Sequence, residues 1–153
     1  MKKLFAFTFL LALAELSAAP VIYRDSTGKI TATATRDGSI TTYRDGDGKI
    51  IGTSVQSGTR ITYRNASGKI AWSAAKNGSH TTYRDRHGRI SGTATELNDQ
   101  ITYHDRTGRI TGTASVDKNN GAVYRDGNGK ITGSVTDSLD DAITRDGFHH
   151  IGK

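Results

Sequence analysis

Ile40-Thr41-Thr42-Tyr43-Arg44-Asp45-Gly46-Asp47-Gly48-Lys49-Ile50-Ile51-Gly52-Thr53-Ser54-Val55 is one copy of a pattern that fills the chain. Ile40 to Arg44 is rich in β-branched and aromatic residues and reads as a strand. Asp45-Gly46-Asp47-Gly48 reads as a turn, in which aspartate starts the reversal and glycine accepts a positive φ. Lys49 to Val55 is a second strand, and Gln56-Ser57-Gly58-Thr59 turns again. Tyr23, Tyr43, Tyr63, Tyr83, Tyr103 and Tyr124, all the tyrosines of the chain, open six such blocks at a spacing of 20 residues four times and then 21. Self-similarity at a fixed period is the signature of a repeat architecture. A feature present six times is a surface or a scaffold, whereas a catalytic site is normally one unrepeated constellation.

The alternation of side chains within a block predicts its architecture. On the second strand Ile50, Gly52 and Ser54 share one face, as do Ile30/Ala32/Ala34, Ile90/Gly92/Ala94 and Ile110/Gly112/Ala114. The other face carries hydroxyls: Thr33, Thr53, Ser73, Thr93, Thr113 and Ser134. A type I turn with a glycine bulge would pair Tyr43 with Ile51, the residue after Ile50, placing Tyr43 and Ile50 on opposite faces. A coil whose two strands face each other without pairing lets both point inward, with tyrosine rings over a glycine and alanine column. The expected fold is therefore an all-β, two-strands-per-coil β-solenoid of six to seven 20-residue repeats, with an antiparallel β-meander of hairpins as the alternative. Its structural core would be Tyr23, Tyr43, Tyr63, Tyr83, Tyr103 and Tyr124 with Ile30, Ile50, Ile70, Ile90, Ile110 and Ile131. Trp72 stands in the glycine column and should force a bulge or mark a special coil.

The ends differ from the middle. Met1-Lys2-Lys3, the apolar run Leu4 to Ala14 and the small residues Ser17-Ala18-Ala19 form a predicted signal peptide over residues 1–19. Six tandem repeats follow over 20–143, and 144–153 is a degenerate capping repeat that keeps Arg145-Asp146. Export to the cell surface or medium, or to a periplasm, is expected. Without cysteine the chain has neither a disulfide framework nor a lipid-modified cysteine anchor, so ladders between repeats must hold it together. The formal charge is +6, and loss of Lys2, Lys3 and Glu15 with the leader leaves +5. That balance favours acidic partners such as an anionic envelope polymer or extracellular DNA, met by the column Arg24, Arg44, Arg64, Arg84 and Arg125, which His104 interrupts.

Motifs for chemistry are sparse. Arg44-Asp45-Gly46-Asp47-Gly48-Lys49-Ile50 looks like the middle of a calcium loop, but Tyr43 and Ser54 would fall where acidic ligands are needed. His149 and His150 are adjacent, and neighbours on a strand point apart. No nucleophile elbow, phosphate loop or single Ser/His/Asp set is present. The sequence therefore predicts no enzyme, no cofactor and no metal. The hydroxyl column Thr33, Thr53, Thr93 and Thr113 resembles the flat ice-binding face of solenoid antifreeze proteins, with Ile51, Val55, Ala71 and Ala75 intruding in its flanks.

Two further resemblances bear on function. Tyr-x-Asp-x-x-Gly-Lys/Arg-Ile is similar to the YD repeats of Rhs-type shell proteins, over some eight residues of each repeat. In plan, with its leader, cysteine-free chain and tandem repeats of about 20 residues, the protein resembles curli-type secreted fibre subunits. The second resemblance implies a structural protein that assembles with copies of itself, through an unprotected edge at Val21-Ile22-Tyr23, into fibres or a biofilm matrix of the functional-amyloid kind. The basic column implies instead a monomeric module for an anionic polymer.

Overall fold

The computed structural model describes residues 20–117 and 121–137. They form twelve strands: β1 (Val21–Asp25), β2 (Ile30–Asp37), β3 (Ile40–Asp45), β4 (Ile50–Ser57), β5 (Arg60–Asn65), β6 (Ile70–Asn77), β7 (His80–Asp85), β8 (Ile90–Leu97), β9 (Gln100–Asp105), β10 (Ile110–Val116), β11 (Ala122–Asp126) and β12 (Ile131–Asp137). Each pairs antiparallel with its neighbours in sequence, and β1 also pairs with β12, from Val21 opposite Asp137 to Asp25 opposite Gly133. The sheet is a closed barrel. The predicted leader (1–19) and capping repeat (144–153) lie outside the described residues.

The solenoid expectation is overturned. The hairpins of the alternative are present, but they close on themselves, and β1 is paired on both sides. The unprotected edge on which end-to-end stacking depended does not exist. The cause is a second irregularity in each of the six hairpins closed by an Asp/Asn-x-x-Gly turn. At Asp45–Lys49 the expected turn forms: the Gly48 amide donates to the Asp45 carbonyl at 3.0 Å, the Asp45 amide donates to the Lys49 carbonyl at 2.9 Å, and Gly48 has φ +83°. One residue later the register shifts. Arg44 faces Ile50, but Tyr43 faces Gly52, so Ile51 is an extra residue on β4. A shift of one residue exchanges the two faces of a strand. Tyrosine and the glycine column therefore share the inner face within a paired hairpin, and no separate coil is needed.

The turn register sets the isoleucines on the outer face with arginine, and the bulge parts them from the glycine column. Ile30, Ile50, Ile70, Ile90, Ile110 and Ile131, read from the sequence as core, are 37–53% exposed. Each lies opposite a column arginine or His104 on the outer face. The core is made instead of Tyr43, Tyr103, Ile101, Ala122 and Val135 with Ala32, Ala34, Ala74, Ala94 and Ala114. Tyr23, Tyr63, Tyr83 and Tyr124 point to the same interior and are half-buried. A barrel of about eight strands is filled by ordinary side chains, whereas barrels of sixteen or more hold a channel. Twelve strands need large groups from some strands and small ones from the rest. Tyrosine on the odd strands and glycine or alanine on the even strands meets that need. A Cβ on Gly92 would strike the His104 carbonyl oxygen on the neighbouring strand, so the column is held close to its partner backbone.

Trp72 causes no bulge of its own, since all six hairpins carry one at the same place. Its ring stacks on Tyr63 at 5.3 Å with 9° between planes, and meets Tyr83 edge-on at 6.5 Å. Tyr43 continues the arc, 5.4 Å from Tyr63. Tryptophan in the glycine column thus extends the aromatic filling along one side of the barrel.

The two classes of repeated apolar residue should respond differently to truncation. Tyr43→Ala empties a buried site and should cost about 3–5 kcal/mol. Ile50→Ala removes a half-exposed group and should cost about 1 kcal/mol or less. Thermal melting of both variants checks this; equal losses would place Ile50 in the core after all.

Candidate functional site

The antiparallel meander sends every Asp-x-x-Gly turn to one rim of the barrel and every two-residue turn to the other. The first rim carries the repeated charges. Asp45 Oδ1 accepts from the amides of Asp47 at 3.1 Å and Lys49 at 2.9 Å. Asn65 does the same with Ser67 and Lys69. In the first and fifth hairpins a threonine hydroxyl adds a bond of 2.6 Å, from Thr27 to Asp25 and from Thr107 to Asp105. These hydroxyl and amide bonds hold both carboxyls below the usual range. The aspartates are thus occupied in shaping turns.

The arginine column stands on the outer face beside them. Arg24, Arg44, Arg64, Arg84 and Arg125 each donate from Nη1 to the carbonyl of the turn glycine four residues on, at 2.9–3.1 Å. That contact fixes where each guanidinium sits, and Arg44, Arg64, Arg84 and Arg125 have no carboxylate partner among the described residues. Cross-strand register gives each cation the same flanks. Arg44 lies between Thr33 and Ile50, Arg64 between Thr53 and Ile70, and Arg84 between Ser73 and Ile90. Arg125 lies between Thr113 and Ile131, and Arg24 between Ser134 and Ile30. His104 takes the cation's place between Thr93 and Ile110. Lys29, Lys49, Lys69, Arg89, Arg109 and Lys130 follow the turns, each one residue before a belt isoleucine. The result is a belt of hydroxyl, cation and isoleucine around one end of the barrel.

Thr33, Thr53, Thr93 and Thr113 face out, as the sequence predicts, but they follow the curve of a closed barrel and form no flat array. Reading by alternation misses the isoleucines as neighbours of the arginines. The signal available was the tripeptide Gly-Lys/Arg-Ile, constant through all six repeats. At the opposite rim Lys76 Nζ meets Glu96 Oε2 at 2.6 Å, and Arg36 Nη2 donates to Gln56 Oε1 at 3.0 Å. These pairs join residues 20 apart in sequence, and tie alternate strands. No group of three or more metal-ligating side chains is assembled among the described residues.

The interior has its own electrostatics. Burial pushes the Tyr43 phenol up to about 12 and raises Tyr23, Tyr83 and Tyr103 as well. The Tyr43 and Ser54 hydroxyls share a buried hydrogen bond of 3.0 Å, whereas the buried Tyr103 hydroxyl has no partner among the described residues. No protein-family model matches the chain, and no curated protein does. Among solved structures it is similar to the X-ray structure of a protein from Arabidopsis thaliana, with a TM-score of 0.53 and 11% identity over 90% of this chain and 94% of that one. At that identity the likeness is one of fold alone.

Two measurements test the interior. Tyr103→Phe removes an unsatisfied buried hydroxyl and should leave stability unchanged or raise it by about 1 kcal/mol. Tyr43→Phe strands the Ser54 hydroxyl and should cost about 1–3 kcal/mol. Chemical denaturation separates the two, and a larger loss for Tyr103→Phe would mean that its hydroxyl is satisfied. Alkali supplies the second test. The folded phenols titrate above the unfolded value of about 10, so their contribution is complete below that pH and is lost as pH rises through the folded values. Tyrosine ionisation followed by ultraviolet absorbance should lag that of a free phenol and rise together with unfolding; early, independent ionisation of most phenols would contradict burial.

Proposed function

We propose that the protein is a non-enzymatic binding barrel that holds a polyanion on its outer cationic belt. The observation that carries this reading is the repeated placement of a guanidinium, fixed by the turn carbonyl, beside a hydroxyl across the strand. Guanidinium and hydroxyl together suit phosphate or sulfate oxygens. The turn aspartates, already engaged by backbone amides, compete little for the arginines. A basic start followed by the apolar run 4–14 supports export, where phosphate-rich envelope polymers and extracellular DNA are the polyanions at hand.

Polyphosphate and duplex DNA are suitable probes. Binding should fall steeply between 0.1 M and 1 M salt, as the Debye length shrinks from about 10 Å to about 3 Å. The variant Arg44→Gln, Arg64→Gln, Arg84→Gln, Arg125→Gln should keep its melting temperature within a few degrees, because exposed charges contribute about 0–1 kcal/mol each. It should lose binding by roughly tenfold or more. Full binding by this variant would sink the reading.

A further inference from the structure

The belt carries an apolar element that a purely hydrophilic polymer does not use. All six isoleucines stand 37–53% exposed at the bulges, while the next outward column on the same strands is threonine or serine throughout. Each isoleucine is paired across the hairpin with a cation or His104, as Arg44 with Ile50 and Arg64 with Ile70. Because the five Asp-x-x-Gly turns and the Asn65–Gly68 turn all lie at one rim, these pairs make a continuous ring there. The other exposed large hydrophobics, Ile40, Val55 and Leu97, form no ring.

Building on the polyanion reading, we infer that the occupant of this belt is the surface of an anionic lipid bilayer, with phosphate headgroups on the arginine and hydroxyl positions and the adjoining isoleucines entering the headgroup–acyl boundary. Charge complementarity supports it: the belt is cationic and the isoleucines sit among the cations. Two adjacent hairpins present two such pairs about 10 Å apart, twice the spacing of paired strands. A barrel lying with one flank on the bilayer therefore engages several pairs at once, whichever flank it is. Contact is peripheral: the strands are 5–8 residues long and carry arginine and threonine outward, whereas a spanning barrel strand needs about 9–11 residues and an apolar outer band.

The test uses the chain from residue 20, with vesicles of mixed phosphatidylglycerol and phosphatidylcholine, vesicles of phosphatidylcholine alone, and soluble polyphosphate. The wild type should sediment with the anionic vesicles and not with the neutral ones. The variant Ile50→Ser, Ile70→Ser, Ile90→Ser, Ile110→Ser should lose roughly tenfold or more in vesicle affinity. Its affinity for polyphosphate should stay within about twofold. A parallel Ile→Thr set, which keeps β-branching, should behave the same and guards against a folding defect, read by circular dichroism. Vesicle binding unchanged in folded Ile variants would overturn the inference and leave the isoleucines as bulge-shaping residues. Polyphosphate binding without vesicle binding by the wild type would also overturn it while leaving the polyanion reading intact. Failure to bind either would remove both.

Discussion

The one-residue bulge between the tyrosine–glycine pair and the arginine–isoleucine pair is the constraint on which the rest of the molecule depends. The glycine-closed turn alone would set tyrosine and the glycine column on opposite faces. The bulge restores them to one face, and it does so six times at the same place. Its effects are opposite on the two sides of the sheet. Inside, the tyrosine rings gain a column of small residues to lie against. Outside, isoleucine stays opposite arginine, where the turn register places it, apart from the glycine column. The core and the candidate binding belt thus meet at one backbone irregularity, the belt set by the turn and the core by the bulge.

What fills the interior follows from this. Phenol rings supply large apolar area, and the alanine and glycine positions between them let neighbouring strands approach. Tyrosine in place of phenylalanine adds a hydroxyl that must be satisfied or left buried at a cost, and both outcomes occur, at Tyr43 and at Tyr103. Trp72 shows that the column is not rigidly small: where the neighbouring aromatics can stack against it, the largest side chain fits.

Much of the fold is legible in the sequence. The twelve strands and the turns between them are visible because the tyrosine period and Asp-x-x-Gly, with Asn65 in the third copy, mark each hairpin. The outward arginines are legible for the same reason: they follow the tyrosine on a strand with no irregularity of its own before the turn. The isoleucines are misread because the bulge falls at Ile50-Ile51, Ile70-Ala71 or Ile110-Thr111, where no glycine or proline announces it, so counting by twos carries the wrong face across it. Closure is hidden for another reason. It depends on Val21–Asp25 meeting Gly133–Asp137, a pairing between the ends of the repeat that leaves no local trace.

That closure also fixes how many repeats the protein can have. An open stack of coils can gain or lose a unit and remain the same structure one layer longer or shorter. A barrel cannot, because its circumference is set by the number of strands and its girth must match the side chains inside. Deleting one 20-residue block would draw the remaining ten strands into a narrower cylinder, in which five tyrosines and Trp72 compete for less room. Duplicating one would leave a lumen that the rings no longer fill. Recombination between near-identical repeats, which readily changes the length of solenoids, is therefore a structural hazard for this chain, and the small departures at Trp72, Asn98 and His104 give otherwise interchangeable hairpins distinct places in the ring.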